Sequence, residues 1–108
     1  MKRVLVDELI PRPLVAVFQG FELRTVADQG WGGKNNGELL RLAEDQFDVF
    51  LTGDRNVRFQ QNLSKFRIGI VVMAARSTKL EDLLPLVPAT RDAMHRVAVG
   101  QVIEVGPE

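Results

Sequence analysis

Acidic residues follow two short apolar segments that have the length of β-strands. Asp7 and Glu8 come directly after Val4-Leu5-Val6, and Asp54 comes shortly after Val49-Phe50-Leu51. Carboxylate oxygens are ligands that Mg²⁺ and Mn²⁺ prefer, and carboxylates that share a cleft repel one another unless a cation or a proton intervenes. The chain has no cysteine, which excludes thiolate ligands and a cysteine nucleophile. The pattern therefore predicts either a divalent-cation site or ordinary turn and cap positions, which Asp also favours.

Three further polar residues are candidates for the same site. Glu38 is a third acid, but its position three residues after Asn35 equally fits a capping box at the start of a helix. Thr52 and Asn56 flank Asp54 and could supply oxygens to a cation or orient its waters. In turns such residues also satisfy backbone groups, so each candidate has a structural explanation beside the functional one.

Basic residues follow the third and fourth apolar segments of the chain. They are Arg55, Arg58, Arg76 and Lys79. These side chains could contact the phosphates of a nucleic acid, or they could form a solvated polar surface. The 14 basic residues balance 14 acidic ones, so the chain has no overall attraction to nucleic acid, although residues 1–54 are net acidic and residues 55–108 net basic.

The elements that must position these residues are five strands that alternate with helices. The strands are predicted over residues 4–6, 21–26, 49–51, 68–73 and 102–105. Three of these segments are continuously apolar, as strands buried on both faces require, whereas the second alternates and is typical of an edge strand. The chain is therefore predicted to be a single α/β domain over residues 1–108, a three-layer α/β/α sandwich around a mainly parallel sheet.

Right-handed crossovers with helices on both faces favour the strand order 2-1-3-4-5. In that order the first and third strands are neighbours, and ligands of such sheets bind where the carboxyl ends of these strands meet. Asp7, Glu8 and Asp54 are therefore expected at one edge of the sheet.

Helices are predicted over residues 11–18, from Asn35 onward, from Thr78 onward and over residues 89–99. Thr78 with Glu81 fits a second capping box, and Pro85 and Pro88 are expected to break the helix that follows it.

Three segments of the chain form recognisable motifs. The first is the opening strand with the acids after it, Val4-Leu5-Val6-Asp7-Glu8-Leu9-Ile10-Pro11. The second is the helix Asn36-Gly37-Glu38-Leu39-Leu40-Arg41-Leu42-Ala43, and the third is the strand and turn Asp48-Val49-Phe50-Leu51-Thr52-Gly53-Asp54-Arg55-Asn56. Together they resemble a short branch of PIN-like proteins of unassigned function, which have an opening strand followed by Asp-Glu-Asn, Leu and Pro, an Asp-x-Glu-Leu-Leu-x-x-Ala helix and a strand ending in Thr-x-Asp-x-Asp. The motifs occur in the order and at the spacing of that family, and the resemblance covers nearly the whole chain.

The resemblance implies a metal-dependent ribonuclease, often the toxin of a toxin-antitoxin pair. Such an enzyme binds Mg²⁺ or Mn²⁺ through an acidic cluster and activates water for cleavage of RNA phosphodiesters. By position, Asp7 and Asp54 would be metal ligands, and Glu8 and Glu38 would be supporting catalytic acids. The implied partners are RNA, a small antitoxin-like protein and, since short PIN-like domains commonly self-associate, a second copy of the chain.

The sequence departs from the family motifs at three positions. Leu9 replaces the usual Asn, and Asn36 and Asn56 stand where the motifs have Asp. Fewer carboxylates predict weaker metal binding, which keeps open an inactive interaction module built on the same scaffold. A phosphoacceptor receiver domain is a third alternative, although the segment after the fifth strand contains no lysine.

The sequence contains no apolar segment of the roughly 20 residues that a membrane-spanning helix requires. Asp7 and Glu8 interrupt the first apolar segment, which argues against a signal peptide. A cytoplasmic location is therefore expected.

Overall fold

The computed structural model describes residues 1–57 and 62–106, and a parallel sheet runs through them. Its strands are β1 (Arg3–Val6), β2 (Glu22–Thr25), β3 (Val49–Thr52), β4 (Gly69–Met73) and β5 (Val102–Val105). All neighbouring strands pair in parallel, in the order β2-β1-β3-β4-β5. The predicted α/β class and strand order are confirmed, and the alternating second strand lies at an edge.

Helices cover both faces of this sheet. Within the described ranges they are α1 (Arg12–Val15), α2 (Asn36–Ala43), α3 (Leu80–Leu83) and α4 (Val87–Arg96), with 3₁₀ turns at Leu63–Lys65 and Leu84–Leu86. One core cluster packs Val4 and Leu51 of the sheet with Leu14 of α1 and Met94 of α4. The other packs sheet residues with α2. None of the helices within residues 1–57 and 62–106 is long and apolar enough to cross a membrane.

Burial explains the continuously apolar segments. Every residue of β3 and β4 is buried. Because successive side chains of a strand point to opposite faces, each central strand must be apolar at adjacent positions when helices cover both sides.

The start of α2 is as the sequence predicts, whereas the start of α3 is not. Asn35 caps α2 as predicted, since its Oδ1 accepts a hydrogen bond from the Glu38 backbone N–H at 2.9 Å. The predicted cap at Thr78 is wrong. Helix α3 has Lys79 as its N-cap residue, and the Lys79 backbone N–H donates to Ser77 Oγ at 3.1 Å.

The first and last helices also differ from their predicted ranges. Helix α1 spans only Arg12–Val15 rather than residues 11–18. Pro88 does not precede α4, as predicted, but lies in its first turn. Proline is tolerated there because the first N–H groups of a helix have no partner within the helix.

A close approach between the segment that follows α4 and the sheet explains the glycine at the start of β4. A Cβ atom on Gly69 would lie 2.8 Å from Val97 Cγ1 and 3.0 Å from the Ala98 carbonyl oxygen. The second of these atoms belongs to the backbone and cannot rotate away.

Gly69→Ala is therefore expected to lower the free energy of unfolding by about 1–3 kcal/mol, the typical cost of overpacking, in urea titrations. Gly32→Ala is the matched control, because a Cβ there would meet its nearest atom, Glu8 Oε1, at an ordinary 3.7 Å. We expect the control to change stability by less than about 0.5 kcal/mol. Equal effects of the two substitutions would contradict this close packing.

Candidate functional site

The sheet brings the two predicted metal ligands to the same edge. Val6 of β1 pairs with Leu51 of β3, so the two strands end side by side. Asp7 follows β1, and its backbone N–H donates to the Leu51 carbonyl oxygen at 2.9 Å. Asp54 lies two residues beyond the end of β3. Both acids therefore lie at the carboxyl edge, at the junction of β1 and β3 where the strand order predicts a ligand site.

The Thr52 hydroxyl connects these two acids. Thr52 is fully buried, and its Oγ1 donates to Asp7 Oδ2 at 2.7 Å. The same oxygen accepts a hydrogen bond from the Asp54 backbone N–H at 3.0 Å. Thr52 thus sets the position of the Asp7 carboxylate relative to the turn that carries Asp54.

Protein donors satisfy the remaining carboxylate oxygens. Asp7 Oδ1 accepts from the Glu8 backbone N–H at 2.8 Å. Asp54 Oδ1 accepts from the Asn56 backbone N–H at 2.9 Å, and Asp54 Oδ2 accepts from Asn36 Nδ2 at 2.9 Å. Each of the four oxygens thus accepts at least one hydrogen bond, and a carboxylate oxygen has capacity for a second interaction.

Asp7 is in an environment that disfavours its charged form. The residue is only 9% exposed, and burial raises the pKa of Asp7 above the usual value for aspartate. Hydrogen bonds from Thr52 and from the Glu8 backbone lower the pKa of Asp7 in part, while the negative charges of Asp54 and Glu8 raise it. In the described part of the chain, no Lys or Arg side chain forms an ion pair with either aspartate. The site would therefore accept a cation or a proton.

The side chains of the two glutamates lie outside this hydrogen-bond network. Glu8 is exposed, and its Oε1 accepts a hydrogen bond from the Gly33 backbone N–H at 3.3 Å. Glu38 is exposed in the first turn of α2. Among residues 1–57 and 62–106, no group of three or more acidic or histidine side chains is close enough to hold one metal ion. The structure brings together Asp7 and Asp54, but it does not gather all four predicted acids.

Two shallow clefts flank the aspartates. A cleft of about 300 Å³ includes Asp54, Arg55, Asn56 and Arg76 in its lining. Two of the four predicted nucleic-acid contacts therefore lie beside Asp54. Lys79 is exposed at the start of α3, and Arg58 lies outside the described residues.

Sequence reasoning missed several residues that line these clefts. Ser77 and Thr78 line the larger cleft, and Arg12 lines the smaller one, of about 190 Å³, beside Asp7 and Glu8. Ser77 and Thr78 could have been found, because they follow β4 at the same carboxyl edge. Nothing in the spacing of Arg12 indicates that it borders Asp7.

No protein-family model matches the chain, and searches of curated proteins and of solved structures found no match. The structure establishes an α/β protein with a parallel five-stranded sheet. The resemblance to PIN-like proteins therefore depends on the sequence motifs alone.

The raised pKa of Asp7 predicts a specific pH dependence of stability. The folded protein holds a proton on Asp7 at pH values where the unfolded chain has already lost it. Stability therefore falls as pH rises from about 4, the ordinary carboxyl pKa, through the raised pKa of the folded protein. Asp7→Asn should remove this decrease, so its stability relative to wild type should be greater near neutral pH than in acid. Urea titrations across this range in metal-free buffer measure the difference.

Asp48→Asn is a control with the opposite sign. Hydrogen bonds from the Arg3 backbone and side chain lower the pKa of Asp48, so its carboxylate stabilises the fold above the ordinary pKa. That stabilisation is lost as pH falls through the lowered pKa. We expect Asp48→Asn to be destabilising near neutral pH, with an effect that fades in acid. The same pH trend for both variants would contradict the assigned environments.

Proposed function

We propose that the carboxyl edge binds Mg²⁺ or Mn²⁺ between Asp7 and Asp54, and that the protein is a metal-dependent ribonuclease of the PIN-like class. The observation that supports this most directly is the pair of aspartates held together by Thr52 without a described cationic partner. Two neighbouring carboxylates are stabilised by a cation. The order and spacing of the three sequence motifs support the choice of class.

The chemistry of the donors fits a hard divalent cation. The site offers carboxylate oxygens and no sulfur, and each oxygen has capacity beyond the hydrogen bond that it accepts. Mg²⁺ commonly binds proteins through one or two carboxylates, with water or substrate phosphate completing its coordination. A site with two carboxylates is consistent with weak binding that substrate would strengthen.

The proposed reaction divides the work between the cation and the residues of this edge. A bound divalent cation supplies polarisation of a phosphoryl oxygen and makes water a better nucleophile. Asp7 and Asp54 would hold it, and Thr52 would maintain their relative position. Arg55 and Arg76 would position the phosphates of RNA in the cleft beside Asp54, with Lys79 near the same edge. In this proposal the protein acts in the cytoplasm as the toxin of a toxin-antitoxin pair, with a small antitoxin-like protein or a second copy as partner.

An inactive interaction module is the second candidate. The Asn36 amide already donates to Asp54 Oδ2, and the described residues supply no third carboxylate to the pair. The hydrogen bonds of both aspartates are thus satisfied without a cation, which is the behaviour of a structural network. A receiver-like domain ranks third, because Asp54 lies two residues past the end of β3 rather than at its tip.

Titration calorimetry with Mg²⁺ and Mn²⁺ tests the proposal without knowledge of the substrate. Wild type is expected to bind metal saturably, and Asp54→Asn is expected to lose at least about tenfold in affinity because it removes a charged ligand. Asp92→Asn is the control, since Asp92 is an exposed acid on α4 that pairs with Arg96. Binding that is lost only in Asp54→Asn would justify cleavage assays with RNA. Absence of binding to wild type at millimolar metal would favour the interaction module.

Salt dependence of RNA binding tests the two arginines of the larger cleft. Arg55→Ala and Arg76→Ala should each reduce the slope of log affinity against log salt by about 0.7, the value for one phosphate contact on a single strand. Fluorescence anisotropy with a labelled RNA measures the slope. Arg96→Ala is the control, because Arg96 is exposed on α4 and pairs with Asp92. An unchanged slope in both cleft variants would exclude this cleft as the RNA site.

A further inference from the structure

Residues 27–35, here called the glycine loop, connect β2 to α2 at the same edge of the sheet. Gly30 and Gly33 have φ angles of +74° and +82°, a backbone conformation that residues with a side chain rarely adopt. The Trp31 backbone N–H donates to the Val26 carbonyl oxygen at 3.0 Å. Its half-buried ring packs edge-on against Phe47, with ring centroids 6.3 Å apart. The loop is thus anchored through Trp31, while Gly33 lies beyond that anchor.

Glu8 holds the part of the loop that follows Trp31. Its Oε1 accepts a hydrogen bond from the Gly33 backbone N–H at 3.3 Å, a contact between residues 25 positions apart. Gly32 lies beside the same carboxylate, since a Cβ there would be 3.7 Å from Glu8 Oε1. The contact is exposed to solvent and consists of one long hydrogen bond to a neutral donor, so it is easily exchanged.

Glu8 also belongs to the surroundings of Asp7. The Glu8 backbone N–H donates to Asp7 Oδ1 at 2.8 Å. The negative charge of the Glu8 side chain helps to raise the pKa of Asp7. Asp7 and Glu8 line the same cleft of about 190 Å³, and Ala27, the first residue of the glycine loop, lines it as well. A single side chain thus connects the Asp7 cleft with the glycine loop.

We propose that Glu8 is a positioning residue that couples cation binding at Asp7 and Asp54 to the position of the glycine loop. This inference rests on the proposed function, because it requires a cation at the two aspartates. A divalent charge attracts the Glu8 carboxylate more strongly than one neutral surface amide does. Binding therefore draws Glu8 away from Gly33 and releases the part of the loop that follows Trp31.

Trp31 provides the signal for the test, because it is the single tryptophan of the chain. Mg²⁺ is the probe, since it does not quench fluorescence through unpaired electrons. We expect a saturable shift of the wild-type emission, because release of Gly33 changes the surroundings of the half-buried Trp31 ring two residues away, with the midpoint found by calorimetry. Glu8→Gln keeps an acceptor for Gly33 but removes the charge, so it should lose the shift while still producing a heat of binding. Glu38→Gln, which neutralises an exposed acid on α2, should keep the shift.

Hydrogen exchange at the Gly33 amide supplies a second signal. Without metal, Glu8→Ala should exchange about fivefold faster than wild type at this amide, the factor expected for loss of one exposed hydrogen bond. Saturating Mg²⁺ should accelerate wild type to a similar degree and leave Glu8→Ala unchanged.

The outcomes separate this inference from the proposed function. A heat of Mg²⁺ binding without a change in emission or in Gly33 exchange would overturn the role of Glu8 and leave the metal site intact. A shift that persists in Glu8→Gln would also overturn it. No heat of binding to wild type would remove the metal site, and the coupling with it.

Discussion

A buried threonine hydroxyl that serves two aspartates is the interaction on which the carboxyl edge depends. Thr52 Oγ1 has one hydrogen to donate, and Asp7 Oδ2 receives it. The lone pairs that remain on Oγ1 accept the Asp54 backbone N–H. The direction of each hydrogen bond is therefore determined, and the two acids are held at adjacent places without a direct contact between them. Thr52 is fully buried in β3, so water does not compete for either hydrogen bond.

The parallel sheet supplies the rigid frame for this arrangement. Neighbouring parallel strands run in the same direction, and Val6 at the end of β1 pairs with Leu51 of β3, so the residues that follow the two strands meet although they are more than forty positions apart in sequence. The same rule places Arg76 near Asp54 after β4. The position that brings Asp7 to this edge also buries it, so its carboxyl group is partly removed from water and its pKa is raised. Acids with a perturbed pKa are common at functional sites, but structural hydrogen-bond networks produce them too.

The ribonuclease and the interaction module differ in what completes this network. As a ribonuclease, the protein would hold a cation through the capacity that the carboxylate oxygens retain, and Asn36 would be a supporting donor to Asp54. In the interaction module, Asn36 and the backbone N–H groups are the final partners of the aspartates. The fold is compatible with both functions, since a scaffold does not determine an activity. The charge balance at Asp7 and Asp54 is the property in which they differ.

The sequence by itself determined the sheet and the edge at which its acids lie. The continuous apolar segments, the alternating second strand and the Asn35 cap are local patterns, so the strands and the start of α2 could be predicted. The strand order followed because right-handed crossovers leave few arrangements of these strands. The contacts of Glu8 with Gly33, of Asn36 with Asp54 and of Thr52 with Asp7 were decided only by the tertiary structure. Each joins residues distant in the chain, and the direction of an acidic side chain depends on which donor lies nearest after packing. The resemblance to PIN-like motifs therefore implied a cluster of four acids, whereas packing brought together two and turned Glu8 toward the glycine loop.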